Sequence, residues 1–390
     1  MEGQRPGPEW GAIVSPVYGK GKIMRVICDR DLLAPLFCSI SKIAKNEIYP
    51  LYSAVLLTAS AGQMPEQGTL TLTGLGMVGT VGLFTQLPAI VQEEGHALVP
   101  IEPLAGYIET LRSGSLTLSQ ERAATSLAVE PRQDQVALSL ATPERAAPLL
   151  VESEYTSDAG TTSTNKARLQ AWSSAQYPLP PVQDWLSTPI FACTLEAALF
   201  KKALAACAPF AREGASRKGS ADEMYGVLLN LDAHSLALSA TTGTMLISHR
   251  FLLKQPAPLS LASLFEGKAL FWMKEALPKK GTIRLALTRD VQTKKLVLLL
   301  STPNATWFCR GMDVSYPTHW EDILQLPHEA EFLIRRGELK DPLRFFAKAA
   351  EGPEGIALAT EGTTLRISTV ASPDDTVHVD QMLPLVRSST

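Results

Sequence analysis

The sequence predicts an α+β protein assembled from repeated strand–helix–three-strand (βαβββ) units, and three observations predict it. First, a Tyr-Pro step followed by a short aromatic-containing linker occurs at Tyr177-Pro178 and again at Tyr316-Pro317, about 140 residues later. Punctuation that returns at domain-sized intervals points to repeated domains. Second, a strand-like segment followed by an amphipathic helix and then further strands recurs five times along the 390 residues. Third, no motif of bond-making chemistry interrupts the pattern.

The first unit opens with alternation over 23–28. Asp29 or Asp31 can cap a helix to about Lys45, with Leu32, Leu33, Leu36, Ile40 and Ile43 at helical spacing. Strands are expected at 54–58, 69–74 and 78–85. The second unit has a strand at 97–100, a helix over 101–112 and strands near 115–119, 126–130 and 135–140. The stretch 142–166 is rich in Ala, Ser, Thr and Gly and predicts a loop insertion. The third unit starts at 190–193, with Thr194 as N-cap of a helix to about Ala211, a polar loop over 212–222 and strands at 225–231, 235–240 and 245–253. The fourth has a strand at 259–261, a helix over 265–277 and strands at 282–288, 295–301 and 306–310. The fifth has a strand at 331–334, a helix over 338–350 and strands at 355–360, 364–369 and 377–383.

One βαβββ unit leaves sheet edges and a sheet face uncovered, so units must pair to bury both. Five units therefore imply two full domains and a half: a flexible extension over 1–22, domain 1 over 23–172 with its insertion, domain 2 over 173–327, and a partial third domain over 328–390.

Composition sets the class. A hydrophobic content of 45% describes a globular chain, and no run of ~18 apolar residues predicts a membrane span. The first 22 residues lack the apolar core of an export signal, and five scattered cysteines suit a reducing cytoplasm. No cysteine or histidine spacing suggests a metal. Net charge of −3 argues against wholesale nucleic-acid coating but leaves room for a local basic surface. Asp29/Asp31 and Asp374/Asp375 read as caps or turns. Phosphate-loop and nucleophile-elbow motifs are absent, and Gly74-Leu75-Gly76 lacks the following helix of a dinucleotide site. No catalytic residues and no cofactor are expected.

Three segments carry a resemblance. Leu70-Thr-Leu-Thr-Gly-Leu-Gly76 looks like a Leu-x-Leu-x-Gly-Thr-Asp strand, and the two Tyr-Pro steps look like aromatic-Pro elements at domain ends. Leu238-Ser-Ala-Thr-Thr-Gly-Thr-Met-Leu246 is similar to a segment containing Ala-Thr-Asp-Gly-His-Arg-Leu. In this order and spacing they resemble the bacterial replicative sliding clamps, the β subunit of DNA polymerase III. Thr242, Thr244 and Met245 stand where that family has Asp, His and Arg, and the third domain is about half length. Met382-Leu-Pro-Leu385 fits either the family's C-terminal end or an internal strand of the fifth unit.

The resemblance implies the DNA clamp fold, with helices toward a central channel and sheets outside. It implies a cytoplasmic, nucleoid-associated, non-catalytic processivity factor that encircles double-stranded DNA. The DNA-facing residues on the five helices would be Arg30, Lys42 and Lys45; Arg112; Lys201 and Lys202; Lys268 and Lys274; and Arg335, Arg336, Lys340, Arg344 and Lys348. Lys279 and Lys280 follow the fourth helix. A pocket for short peptides of the polymerase and clamp loader would take Met224, Thr241, Gly243, Thr244, Met245 and Leu246 on one side, and Pro317, Ile323 and Leu324 on the other. The ring would be a homodimer or be completed by another chain. The alternative is a clamp-like adaptor that binds replication proteins without closing a ring.

Overall fold

The computed structural model describes residues 24–44, 49–62, 67–112, 114–120, 143–156, 162–216, 226–242, 245–314, 331–349, 356–369 and 380–389. The chain divides into two compact units, Met1–Pro317 and Thr318–Thr390.

In the first unit, β1 (Arg25–Asp29) runs into α1 (Arg30–Ile43), where the Asp29 carboxylate accepts from the Asp31 N–H at 2.7 Å. This side chain satisfies one of the donors that a helix start leaves open. The buried stripe is Leu33, Leu36, Phe37, Ile40 and Ile43, whereas Leu32 is exposed. Then follow β2 (Ala54–Ala61), β3 (Gly68–Gly76), β4 (Val81–Glu93), β5 (Gly95–Pro100), α2 (Ile101–Thr110), β6 (Ser115–Gln120), β7 (Arg145–Thr156) and β8 (Thr162–Trp172). A linker helix α3 (Val182–Ser187) leads to β9 (Phe191–Glu196), α4 (Ala197–Ser216), β10 (Gly226–Leu231), β11 (Ser235–Thr241) and β12 (Leu246–Leu252). The unit closes with β13 (Leu261–Glu266), α5 (Gly267–Ala276), β14 (Thr282–Arg289), β15 (Leu296–Ser301) and β16 (Thr306–Arg310).

Two sheets result. One has the order β1-β6-β7-β8-β5-β2-β3-β4-β16-β15-β14-β9, with β4 also pairing β1; the other is β12-β11-β10-β13. The strands up to β8 thus close on themselves, and β4 joins them to the later block through Thr306↔Phe84 to Cys309↔Val81. Period-2 alternation sorts each strand's side chains. Val55, Leu57, Leu298 and Leu300 face the core beneath the helices, while Leu56, Val297 and Leu299 pack with Tyr177, Val182 and Trp185 of the linker. Helices therefore cover one face of the large sheet and the linker straps the other. Each fully buried Leu, Ile or Phe stabilises by about 1.5–3 kcal/mol. The strap is tied by Tyr177, whose hydroxyl donates to the Thr73 carbonyl at 3.0 Å; burial drives its pKa far up.

Close approach explains two glycines. A Cβ on Gly76 would collide with the Ile43 carbonyl, and one on Gly82 with the Phe308 ring, so these positions admit α1 and β16 against the sheet.

Several expectations are corrected. Most of 142–166 is the long hairpin β7–β8: its Val, Tyr and Thr residues suit a strand, and Leu149, Val151 and Ser153 are buried. The strands expected at 126–130 and 135–140 lie outside the described residues. Thr194 lies within β9 and is no cap, because pairing with Arg284 continues the strand to Glu196 and the helix starts at Ala197. Helix α4 runs to Ser216, into the segment expected as loop. Helix α2 ends at Thr110, so Arg112 follows it rather than riding on it.

The second unit contains β17 (Glu331–Leu333), α6 (Arg336–Ala349), β18 (Ile356–Glu361), β19 (Thr364–Thr369), β20 (Asp380–Pro384) and β21 (Arg387–Ser389). Its sheets are β18-β19-β20 and β17-β21, around Phe346, Leu365, Ile367 and Leu383. Met382 lies in β20, the edge strand that pairs with β19, where Met382 stands opposite Arg366, and β21 follows it in the chain. Arg335 precedes the helix rather than lying in it.

His96 in β5 is half-buried, and burial holds its pKa below the usual 6.5. As pH falls through 6.5 the unfolded chain binds the proton first, so this residue subtracts stability on the acid side. His96→Gln is expected to flatten that decline in urea titrations between about pH 7 and pH 5.

Candidate nucleic-acid interface

The helices of the first unit form one connected layer: α1 packs on α2 and on α5, and α4 packs on α5. Three of them bring lysines together. Lys42 is exposed in the last turn of α1, Lys201 is half-buried on α4, Lys274 lies in the last turn of α5, and Lys279 follows α5. Burial lowers the pKa of Lys201, and the charges of Lys274, Lys279 and Lys42 lower it further, while Glu275 opposes them. The Glu275 carboxyl is held down by its bond to Lys274, with Lys201 and Lys42 adding to the effect. Four ammonium groups and one carboxylate thus lie within electrostatic range of one another where α1, α4 and α5 pack. Like charges gathered this way are unfavourable in the free protein and favourable beside a polyanion.

Two of these lysines are held in place. Lys201 Nζ donates to the Leu277 carbonyl at 2.7 Å, satisfying the C-terminal end of α5. Lys274 Nζ sits 4.0 Å from the centre of the Phe271 ring and 2.5 Å from Glu275 Oε1. Lys201→Met is expected to cost about 1–2 kcal/mol by leaving that carbonyl unpaired, measured by urea denaturation.

The other predicted cations are distributed differently. Arg30 donates to the Ile108 and Glu109 carbonyls, both at 3.2 Å, so its guanidinium caps α2. Arg112 lies over the Tyr155 ring at 4.5 Å, and Lys268 over Trp272 at 5.1 Å. Lys202 is exposed. Lys45 is outside the described residues. In the second unit Arg336 and Lys340 are exposed, Arg335 lies 3.8 Å from Glu338, and Arg344 lies 3.7 Å from Asp341. The side chain of Lys348 is outside the described residues.

Of the predicted pocket, Thr241, Met245 and Leu246 are described, and they form the β11–β12 turn. Thr241 Oγ1 donates to the Met245 carbonyl at 2.9 Å, and the Met245 N–H donates to Thr242 Oγ1 at 3.2 Å. Met245 is left 49% exposed, an apolar side chain available to a partner. Met224, Gly243, Thr244, Pro317, Ile323 and Leu324 lie outside the described residues. Sequence reasoning left Thr242 out of this group, although a buried Thr beside a Gly is a usual turn anchor. It named Lys279 only as a residue following a helix.

No protein-family model and no curated protein matches the sequence. Solved structures do match. A DNA polymerase sliding clamp from Bacillus subtilis aligns over 94% of this chain and 85% of its own, with a TM-score of 0.68 and 14% identity. The DNA polymerase β subunit of Streptococcus pyogenes aligns over 94% and 85%, with a TM-score of 0.67 and 17% identity. The DNA polymerase III subunit β of Pseudomonas aeruginosa aligns over 93% and 84%, with a TM-score of 0.68 and 16% identity. The chain therefore has the α+β DNA clamp fold.

Proposed function

We propose, with the clamp fold as premise, that this chain is a non-catalytic sliding clamp: it surrounds duplex DNA and tethers a polymerase by topology. The observation that carries the reading is the packing of α1 and α4 on α5, which brings Lys42, Lys201, Lys274 and, just after α5, Lys279 within electrostatic range of one another. Lysines are point charges suited to phosphates, and contacts to phosphates alone carry no sequence information, so such a face permits movement along the duplex. The sheets lie behind the helices and supply a stiff frame. Closure would come from a homodimeric ring or from a ring completed by another chain. The turn carrying Met245 would be one wall of a site for polymerase and clamp-loader peptides, with Met245 and Leu246 as apolar anchors.

Topological trapping tests this. A linear duplex is ligated into a circle in the presence of the protein and washed at about 0.5 M salt, where phosphate contacts weaken steeply. Retention on the circle and release after cutting is the expected result. Equal loss from circle and line would remove encirclement and leave the clamp-like adaptor. That second reading draws on the second unit, whose described residues hold one helix where the first unit brings helices together in pairs.

A further inference from the structure

Within the first unit the strands up to β8 and those from β9 follow the same order, so β1 and β9 correspond, as do β4 and β12. The two pairs differ in one respect. β1 and β4 zip together through Arg25↔Glu93, Val26↔Val91 and Ile27↔Ile90. Among the described residues β9 pairs only β14, and β12 pairs only β11. The reason is legible by counting from each hairpin. β3 and β4 close at Gly76↔Val81, and β11 and β12 at Thr241↔Leu246. Ile90, Val91 and Glu93 then correspond to Gln255, Pro256 and Pro258. β12 ends at Leu252, opposite the first residue of β11. Beyond it the Leu253 and Ala257 N–H groups donate to the His234 and Ala233 carbonyls, while Pro256 and Pro258 have no N–H to offer β9.

What remains is an open cleft of about 980 Å³ between two sheet edges. Its walls include Cys193, Leu195, Leu199, Phe251 and Leu252. Leu199 is 52% and Leu252 is 82% exposed, although leucines at these positions gain nothing from water. Arg250 and Lys254 line the cleft beside them, exposed and, among the described residues, without an ion-pair partner.

We propose that this cleft is a docking site for an extended segment of another protein, which adds as a strand to the free edge of β9 and takes the place that β4 occupies against β1. The six residues of β9 set the length of the segment. Its alternate side chains are apolar, to cover Leu199 and Leu252. An acidic residue at one end meets Arg250 and Lys254. Main-chain bonds would supply affinity and the alternate pockets specificity, as in other cases of strand addition. Leu199 of the cleft and Lys201 of the lysine cluster both lie in the first turns of α4, but the test uses a peptide and no DNA, so it is independent of whether the chain encircles DNA.

The probe is a fluorescein-labelled peptide about seven residues long, alternating Leu and Thr with a terminal Glu, followed by anisotropy against the full chain. Leu252→Asp is expected to weaken binding by about tenfold or more, and Arg250→Glu to weaken it by less. A probe N-methylated at alternate backbone positions should fail to bind. Val291→Asp, at another exposed apolar position in the β14–β15 turn, should leave binding unchanged. No binding at about 1 mM peptide, or equal binding by the Leu252→Asp protein, overturns the assignment. A concentration-dependent dimer that Leu252→Asp dissociates would also overturn it, because a second copy would then fill the cleft.

Discussion

Arg310→Ala is expected to lower the stability of the first unit by about 3–5 kcal/mol, because it leaves a buried carboxylate without its counter-charge. Arg310 sits where the two blocks of the large sheet join. Its Nη1 donates to the Gly79 carbonyl at 2.9 Å, in the turn between β3 and β4. Its Nε lies 3.3 Å from Asp290 Oδ2, a close ion pair rather than an aligned hydrogen bond. Its guanidinium stands 5.3 Å from the Trp185 ring of the linker, which in turn packs edge-on against Phe308. One side chain thus ties both blocks and the strap. Asp290 is 1% exposed, so water cannot replace the lost partner. The burial that lowers the pKa of Arg310 is opposed first by Asp290. Urea denaturation should show the loss as a lower midpoint. The double variant Asp290→Leu/Arg310→Met should recover a large part of it, since removing both charges removes the desolvation penalty. A single variant as stable as the parent would show that the ion pair does not hold the blocks together.

The second large effect concerns DNA. Lys42→Glu, Lys274→Gln and Lys279→Glu together are expected to weaken duplex binding by about 100-fold at moderate salt. The slope of log affinity against log salt should fall by about 2–3, one counterion for each lost contact. Lys201 is kept in this variant because its ammonium holds the end of α5, so a change there would confuse binding with folding. An unchanged urea midpoint checks that the variant remains folded. Binding with the parent's salt slope would mean that this face does not meet phosphates, and the exposed cations of α6 would become the candidates to test.

Much of the architecture was legible locally. The α1 stripe of Leu33, Leu36, Ile40 and Ile43, the β14–β15–β16 meander and the βαβββ order follow from patterns set by neighbours in the chain, since period 2 and period 3.6 are backbone properties. The choice of Asp29 over Asp31 as cap and the exposure of Leu32 came from the structure. The errors were local ambiguities that distant partners resolved. An Ala/Ser/Thr-rich run reads as loop until β6 pairs with Glu152 and Val151 and draws it into a sheet. Thr194 reads as a cap until β14 extends the strand past it.

By itself, then, the sequence determined the order of strands and helices in the repeating unit, because this is a matter of residue type and spacing; it placed Arg112 on a helix that ends at Thr110 and carries no cation. Tertiary structure alone decided which cations meet. Arg30 and Lys201 each end on a neighbouring helix's carbonyls, whereas Lys42, Lys274 and Lys279 converge around Lys201. It also decided that, among the described residues, β9 pairs β14 alone, while the chain beyond β12 bonds to the β10–β11 turn instead. Both outcomes depend on pairings between segments far apart in the chain, and Coulomb and hydrogen-bonding partners are set by distance in space, which spacing along the sequence does not encode.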